Sequence, residues 1–170
     1  MSPRIASTVS IGLLAGLSCL LTGFLVPVPI WVLFIAWASF FAAGGGLDGA
    51  ARSLVMNALG VASATATMLA ITALGGSTWA VAGCVVIGAG ILVFITREGL
   101  VSFTPAGFFG FASVVGTIAA TGTAITAPVN VSHPVVLVVG AIVLGTAFGF
   151  ASEWPGDLLT KKPALERADV

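Results

Sequence analysis

The sequence predicts an all-α fold, a polytopic bundle of six transmembrane helices, and three observations lead there. Of 170 residues 58% are hydrophobic and only 7% charged, and the mean hydropathy is +1.18. Soluble domains carry about 25% charged residues, so this chain lacks the polar surface to face water on all sides. Glycine, proline and charge punctuate the chain into six apolar runs, close to the roughly 20 residues that a membrane helix needs. Every lysine and arginine then falls on one side of the membrane, as the asymmetry of basic loops requires.

The first run, 7 to 26, follows Arg4 and contains Gly12, Gly16 and Gly23. It is longer than the roughly 7 to 15 residues of a signal-peptide core, and no small-x-small cleavage site ends it, so it is expected to stay as a helix. Pro27 and Pro29 separate it from the second run, 29 to 45, and the stretch Gly44 to Asp48 ends that one. The third run, 52 to 74, stops at Gly75-Gly76-Ser77; the fourth, 78 to 96, stops at Arg97-Glu98. The fifth, 103 to 122, opens on Thr104-Pro105, read as an N-cap followed by proline at the first helical position. Pro29 is expected to start the second helix in the same way, and the segment from Arg97 to Thr104 leaves room for a re-entrant or broken start of the fifth. The sixth, 134 to 152, follows the Pro128 to Pro134 connection, and residues 153 to 170 form a polar tail.

With six spans Arg4, Arg52, Arg97, Lys161, Lys162 and Arg167 share one side, and a five- or seven-span division breaks this agreement. That side also holds Asp48, Glu98, Glu153, Asp157, Glu166 and Asp169. The expectation is a multi-pass membrane protein with both termini cytoplasmic. Trp31 and Trp79 lie near the outer boundary and Trp154 near the inner one, where indole rings favour the headgroup layer.

A faint internal match suggests that the bundle is two related halves, 7 to 74 and 78 to 152. The stretch Leu100 to Ser113 falls on Trp31 to Gly44 at an offset of 69, with Phe103 on Phe34 and Phe109 on Phe40. Ala15-Gly16 meets Ala82-Gly83 at 67, and Leu59-Gly60-Val61-Ala62 meets Leu144-Gly145-Thr146-Ala147 at 85. Three helices per half is an odd number, so the second half enters the membrane upside down. This 3+3 inverted repeat is the plan of many channels and transporters, whose path lies between the halves.

No Asp, Glu, Lys, Arg or His lies deep in any span, which disfavours coupled pumping, because proton and ion relays commonly use such groups. A passive path needs only small side chains, hydroxyls or amides, and an apolar constriction. Ser39, Phe40 and Phe41 on the second helix, and Thr104, Phe108, Phe109 and Ser113 on the fifth, supply those parts. Asn57, with Ser63, Thr65 and Thr67, adds polarity to the third, and its amide must find partners inside the membrane. Gly12 with Gly16, and Gly145 with Gly149, have the GxxxG spacing that brings helices close. They serve contacts within a subunit or in the homo-oligomer that so small a bundle is expected to form.

Enzymatic readings fail for lack of parts. His133 is the single histidine, placed on the outer loop as a solvated or loop-bonding group, and no P-loop, HExxH or Ser-His-Asp set can be assembled. Cys19 and Cys84 have no second Cys or His at ligand spacing, so no disulfide, metal or cofactor is expected. Six basic against six acidic residues give a net charge of zero, and nothing concentrates a basic face for nucleic acid. Asp48 with Arg52, and Arg97 with Glu98, are expected as helix-end and surface pairs.

The run Ala38-Ser39-Phe40-Phe41-Ala42 followed by Gly45, Gly46 and Gly49, with Ser102-Phe103-Thr104-Pro105 and Phe108-Phe109-Gly110, resembles a bacterial inner-membrane family known as domain of unknown function 1097. The resemblance covers nearly the whole chain and implies a small multi-helix inner-membrane protein. Ala106 stands where the family pattern has glycine after the proline, and the resemblance carries no activity onto any residue. The partners expected are the lipid bilayer, further copies of the chain and a small, uncharged or weakly polar solute. Two functions from different classes follow: a channel or facilitator for that solute, and a non-transporting structural or accessory subunit of a membrane complex.

Overall fold

Among the described residues six helices follow one another: α1 at Pro3–Phe24, α2 at Ile30–Ala42, α3 at Gly46–Ala73, α4 at Thr78–Phe94, α5 at Thr104–Thr121 and α6 at Pro134–Thr160. A 3-10 turn, Gly99–Val101, precedes α5. The structure is a computed structural model that describes residues 3–160. Lys161, Lys162, Glu166, Arg167 and Asp169, and the side chains of Arg4, Trp154 and Asp157, lie outside the described part.

The breaks come from local chemistry. Pro29 sits at the N-cap of α2, and its carbonyl accepts the N–H groups of Val32 and Leu33 at 3.0 and 3.2 Å. Ser77 caps α4 by accepting the Ala80 N–H at 3.2 Å. Gly122 closes α5 in the left-handed conformation, φ +67°, where a side chain would be strained.

Two starts differ from the sequence reading. Helix α3 begins at Gly46, so Asp48 and Arg52 lie on its opening turns. The Glu153 carboxylate, reaching over from α6, accepts the Gly46 N–H at 3.1 and 3.2 Å and satisfies a group that would otherwise be orphaned. Thr104 is not the N-cap of α5. Phe103 holds that position, and the Thr104 hydroxyl instead donates to Thr96 Oγ1 at 2.9 Å, tying the start of α5 to the end of α4. The pair Asp48 and Arg52 is also not an ion pair, since Arg52 Nε donates to the Asp48 backbone carbonyl at 3.3 Å.

Among the described residues α1, α3, α5 and α6 are long and apolar enough to cross a membrane, whereas α2 has 13 residues and α4 has 17. The chain is an all-α, multi-helix membrane-spanning bundle. Its packing does not follow chain order. Helix α3 lies most extensively against α5 and also against α4; α6 lies most extensively against α2 and also against α1. Two packed groups result, α1/α2/α6 and α3/α4/α5, joined through α6 on α3 and α5 and through α2 on α3 and α5. The core fills this centre with Leu33, Ala36 and Trp37 of α2, Val61 and Ala64 of α3, Val114 of α5, and Val138 and Ile142 of α6.

Glycine sets the two tightest crossings. Gly60 of α3 rests on the Gly107 carbonyl and the Phe111 nitrogen of α5, and Gly110 rests in turn on the Asn57 backbone. Gly145 of α6 rests on the Leu33 carbonyl and the Trp37 nitrogen of α2, with Gly149 beneath the Phe40 ring. Without hydrophobic drive between helices inside lipid, such close backbone contact is a principal source of association.

Candidate functional site

Where α2 of one packed group meets α3 of the other, three polar side chains are buried together. Ser39, Ser53 and Asn57 are each 1% exposed or less. Ser39 Oγ and Ser53 Oγ are 2.7 Å apart. Asn57 Nδ2 lies 3.1 Å from Ser39 Oγ, 2.9 Å from the Ser53 carbonyl and 3.3 Å from Ser53 Oγ. The Ser53 carbonyl accepts only, so it fixes the amide with nitrogen toward the serines. Oxygen Oδ1 points away from them and has no partner.

Two further hydroxyls, Ser113 Oγ and Thr117 Oγ1 on the buried face of α5, are also unpartnered. An unpaired buried polar atom typically costs about 1–3 kcal/mol, and in a membrane no bulk water relieves it. Asn57 Oδ1, Ser113 Oγ and Thr117 Oγ1 are three such atoms on α3 and α5, and Ser10 Oγ is another on α1.

Of the residues singled out in the sequence, the structure brings Ser39 and Asn57 into direct contact and buries Ser113. Phe40 is fully buried against Gly149 and Phe150 of α6, whereas Phe41 and Phe108 face outward, 41% and 43% exposed. Phe109 is half-buried, and Thr104 belongs to the α4–α5 junction through Thr96. Gly12 and Gly16 are exposed with nothing around them, while Gly145 and Gly149 lie at the α2–α6 crossing. Ser53 and Thr117 were missed. Each sits four residues from a chosen polar position, Asn57 and Ser113 respectively, which on a helix means the same face.

Two more buried bonds tie the groups from within. Trp37 Nε1 donates to Ser152 Oγ at 3.1 Å across α2 and α6, its ring lying against Phe148. Trp37 is thus internal, and Trp31 covers Gly116 of α5, while Trp79 is 89% exposed, as an interfacial ring would be. His133 is not solvated but buried. Its Nδ1 accepts the Val135 N–H at 3.3 Å, so Nε2 carries the proton and donates to the Ile125 carbonyl at 3.2 Å, pinning the α5–α6 loop. Among the described residues no group of three His, Cys, Asp or Glu is placed to hold a metal ion.

Residues 8–157 match the family described as "Protein of unknown function (DUF1097)". The chain is also similar to "Uncharacterized protein YahC" of Escherichia coli (strain K12), 35% identical over 120 residues that make up 65% of this chain and 73% of that one. No solved structure matches it. The relative and the apolar helices together make this a bacterial multi-pass membrane protein.

Proposed function

This chain belongs to the DUF1097 family, and we propose that it is a channel or facilitator for a small, uncharged or weakly polar solute. The observation that carries the reading is the buried Ser39–Ser53–Asn57 cluster, which bridges the two packed groups while Asn57 Oδ1, Ser113 Oγ and Thr117 Oγ1 stay unpaired. A solute offering both a donor and an acceptor would satisfy those atoms as it passed between the groups. The reading assigns no catalytic step and no cofactor. It places the protein in the inner membrane with both termini cytoplasmic, the side of Arg52 and Arg97.

An inverted 3+3 repeat fits this function, and burial supports it in a register of 74 for the first two helix pairs, in place of 69 and 67. Val32, Leu33, Ala36, Ser39 and Phe40 of α2 then correspond to Ala106, Gly107, Gly110, Ser113 and Val114 of α5, all buried. On α1 and α4, Thr22 Oγ1 donates to the Ser18 carbonyl and Thr96 Oγ1 to the Leu92 carbonyl, both at 2.9 Å and again 74 apart. The offset of 85 relates Ser53, Asn57, Gly60 and Thr67 of α3 to Val138, Ile142, Gly145 and Ser152 of α6, likewise buried. Ser39 bonds to Ser53 and contacts Asn57 on α3, and under this correspondence the equivalent positions of α6 are Val138 and Ile142, which offer no polar side chain.

The test is swelling of proteoliposomes containing the purified protein against a panel of small neutral and charged solutes, with Asn57→Leu beside the wild type. Selective swelling that the variant abolishes supports the path and places Asn57 on it. A second reading, an accessory subunit that assembles with further copies or other chains, draws on the exposed Gly12 and Gly16 face of α1, whose membrane window is only 11% buried. Absence of swelling for every solute would favour that reading.

A further inference from the structure

We propose that the groove between α3 and α4 seats one acyl chain of an anionic phospholipid, with Arg97 at its mouth for the headgroup. The groove has a volume of about 550 Å³ and is walled by Leu59, Ala66 and Ala70 of α3 and Cys84, Ile91 and Ile95 of α4. Its polar side chains are Ser63, whose Oγ donates to the Gly88 carbonyl at 2.9 Å, and Thr67, which is 5% exposed. The rest of the lining is apolar, as an acyl chain requires.

Size and charge select this occupant. From Cys84 to Ile95 the helix rises about 16 Å, which matches one leaflet of a hydrocarbon core roughly 30 Å thick. The groove is lined by the small Ala62, Ala66 and Ala70 along α3. Arg97 follows just beyond Ile95 and is exposed. Its backbone N–H is bonded to the Val101 carbonyl at 3.1 Å, but its guanidinium has no hydrogen bond or ion pair among the described residues, not even with neighbouring Glu98. A phosphate at the membrane surface would complete it.

The full-length protein is reconstituted with phosphatidylglycerol carrying a photoreactive diazirine on its acyl chain, and crosslinked residues are mapped by mass spectrometry. The exposed Leu13, Leu17 and Leu20 of α1 provide the baseline for lipid that merely surrounds the protein. Labelling is expected to concentrate at Ala66, Ile87 and Ile91, and unlabelled phosphatidylglycerol should displace it about fivefold better than phosphatidylcholine. Arg97→Gln, an exposed change that leaves packing alone, should erase that preference, and Ala66→Phe should remove the labelling. Even labelling over α1 and α4, equal competition by the two lipids, or protein-to-protein crosslinks in the groove would each overturn the proposal.

Discussion

Replacing Gly60 by alanine would place a methyl group on the backbone of α5. Built there, Cβ falls on the Gly107 carbonyl oxygen, 2.8 Å from that carbonyl's carbon and 2.9 Å from the Phe111 nitrogen, where ordinary contact begins at 3.4 Å. No side chain can swing aside, so α3 and α5 must part along the most extensive helix contact in the molecule. Overpacking of this kind costs about 1–3 kcal/mol, and backbone on the opposing side argues for the upper end. For a chain of this length about 2–4 °C of melting temperature goes with each kcal/mol, giving a drop of roughly 5–10 °C. Thermal unfolding of the detergent-purified variant, followed by retention of the monodisperse peak in size exclusion, measures it. Gly16→Ala, whose Cβ would meet nothing within 4 Å, is the control and should melt with the wild type. If Gly60→Ala also melts within a degree of the wild type, the α3–α5 crossing is not held by close backbone contact and the packing argument fails.

His133→Ala should free the α5–α6 loop by removing its tie between the Ile125 carbonyl and the Val135 N–H. Faster hydrogen exchange over 123–135 and a loss of about 1–2 kcal/mol are expected, and unchanged exchange would contradict the buried tautomer. Glu153→Ala should uncap α3 at a cost of about 0.5–2 kcal/mol, read as earlier exchange of the amides at 46–49, whereas Glu153→Gln should recover part of it by keeping one acceptor oxygen. Asn57→Leu should leave the melting temperature within a few degrees of the wild type while abolishing any solute flux, because the change also removes the unpaired Oδ1. A large loss of stability there would mark Asn57 as a structural tie instead.

The helix breaks at Pro29 and Gly75-Gly76-Ser77 were legible because they act through backbone dihedrals and caps that a reader can see in a few residues. The start of α3 was not, since the group that makes Gly46 a workable first residue is Glu153 of the last helix. The same limit separates two identical glycine spacings. Gly145 and Gly149 meet α2, and Gly12 and Gly16 meet nothing, because spacing describes a helix face and not what lies opposite it. Adjacent phenylalanines split for that reason too, Phe40 facing α6 and Phe41 facing out. Asn57 was legible as a residue that needs partners, and its neighbour at four residues' distance, Ser53, was there to be read. His133 was legible as a loop-bonding group, but its burial and its partner were not, because a backbone carbonyl leaves no trace in composition.

The exchange of third helices between the packed groups bears on how the protein is made. As the chain emerges, α1 and α2 enter the membrane long before α6, the helix on which each packs most extensively. Helix α3 likewise has its principal surface uncovered until α5 arrives, and its first N–H goes without the Glu153 carboxylate until α6 is made. Assembly is therefore a closing event that waits for α5 and α6, like two hands clasped by their last fingers, and neither half holds a complete fold by itself. Severing the chain at Gly75-Gly76 and supplying both pieces in one membrane should still let the clasp form.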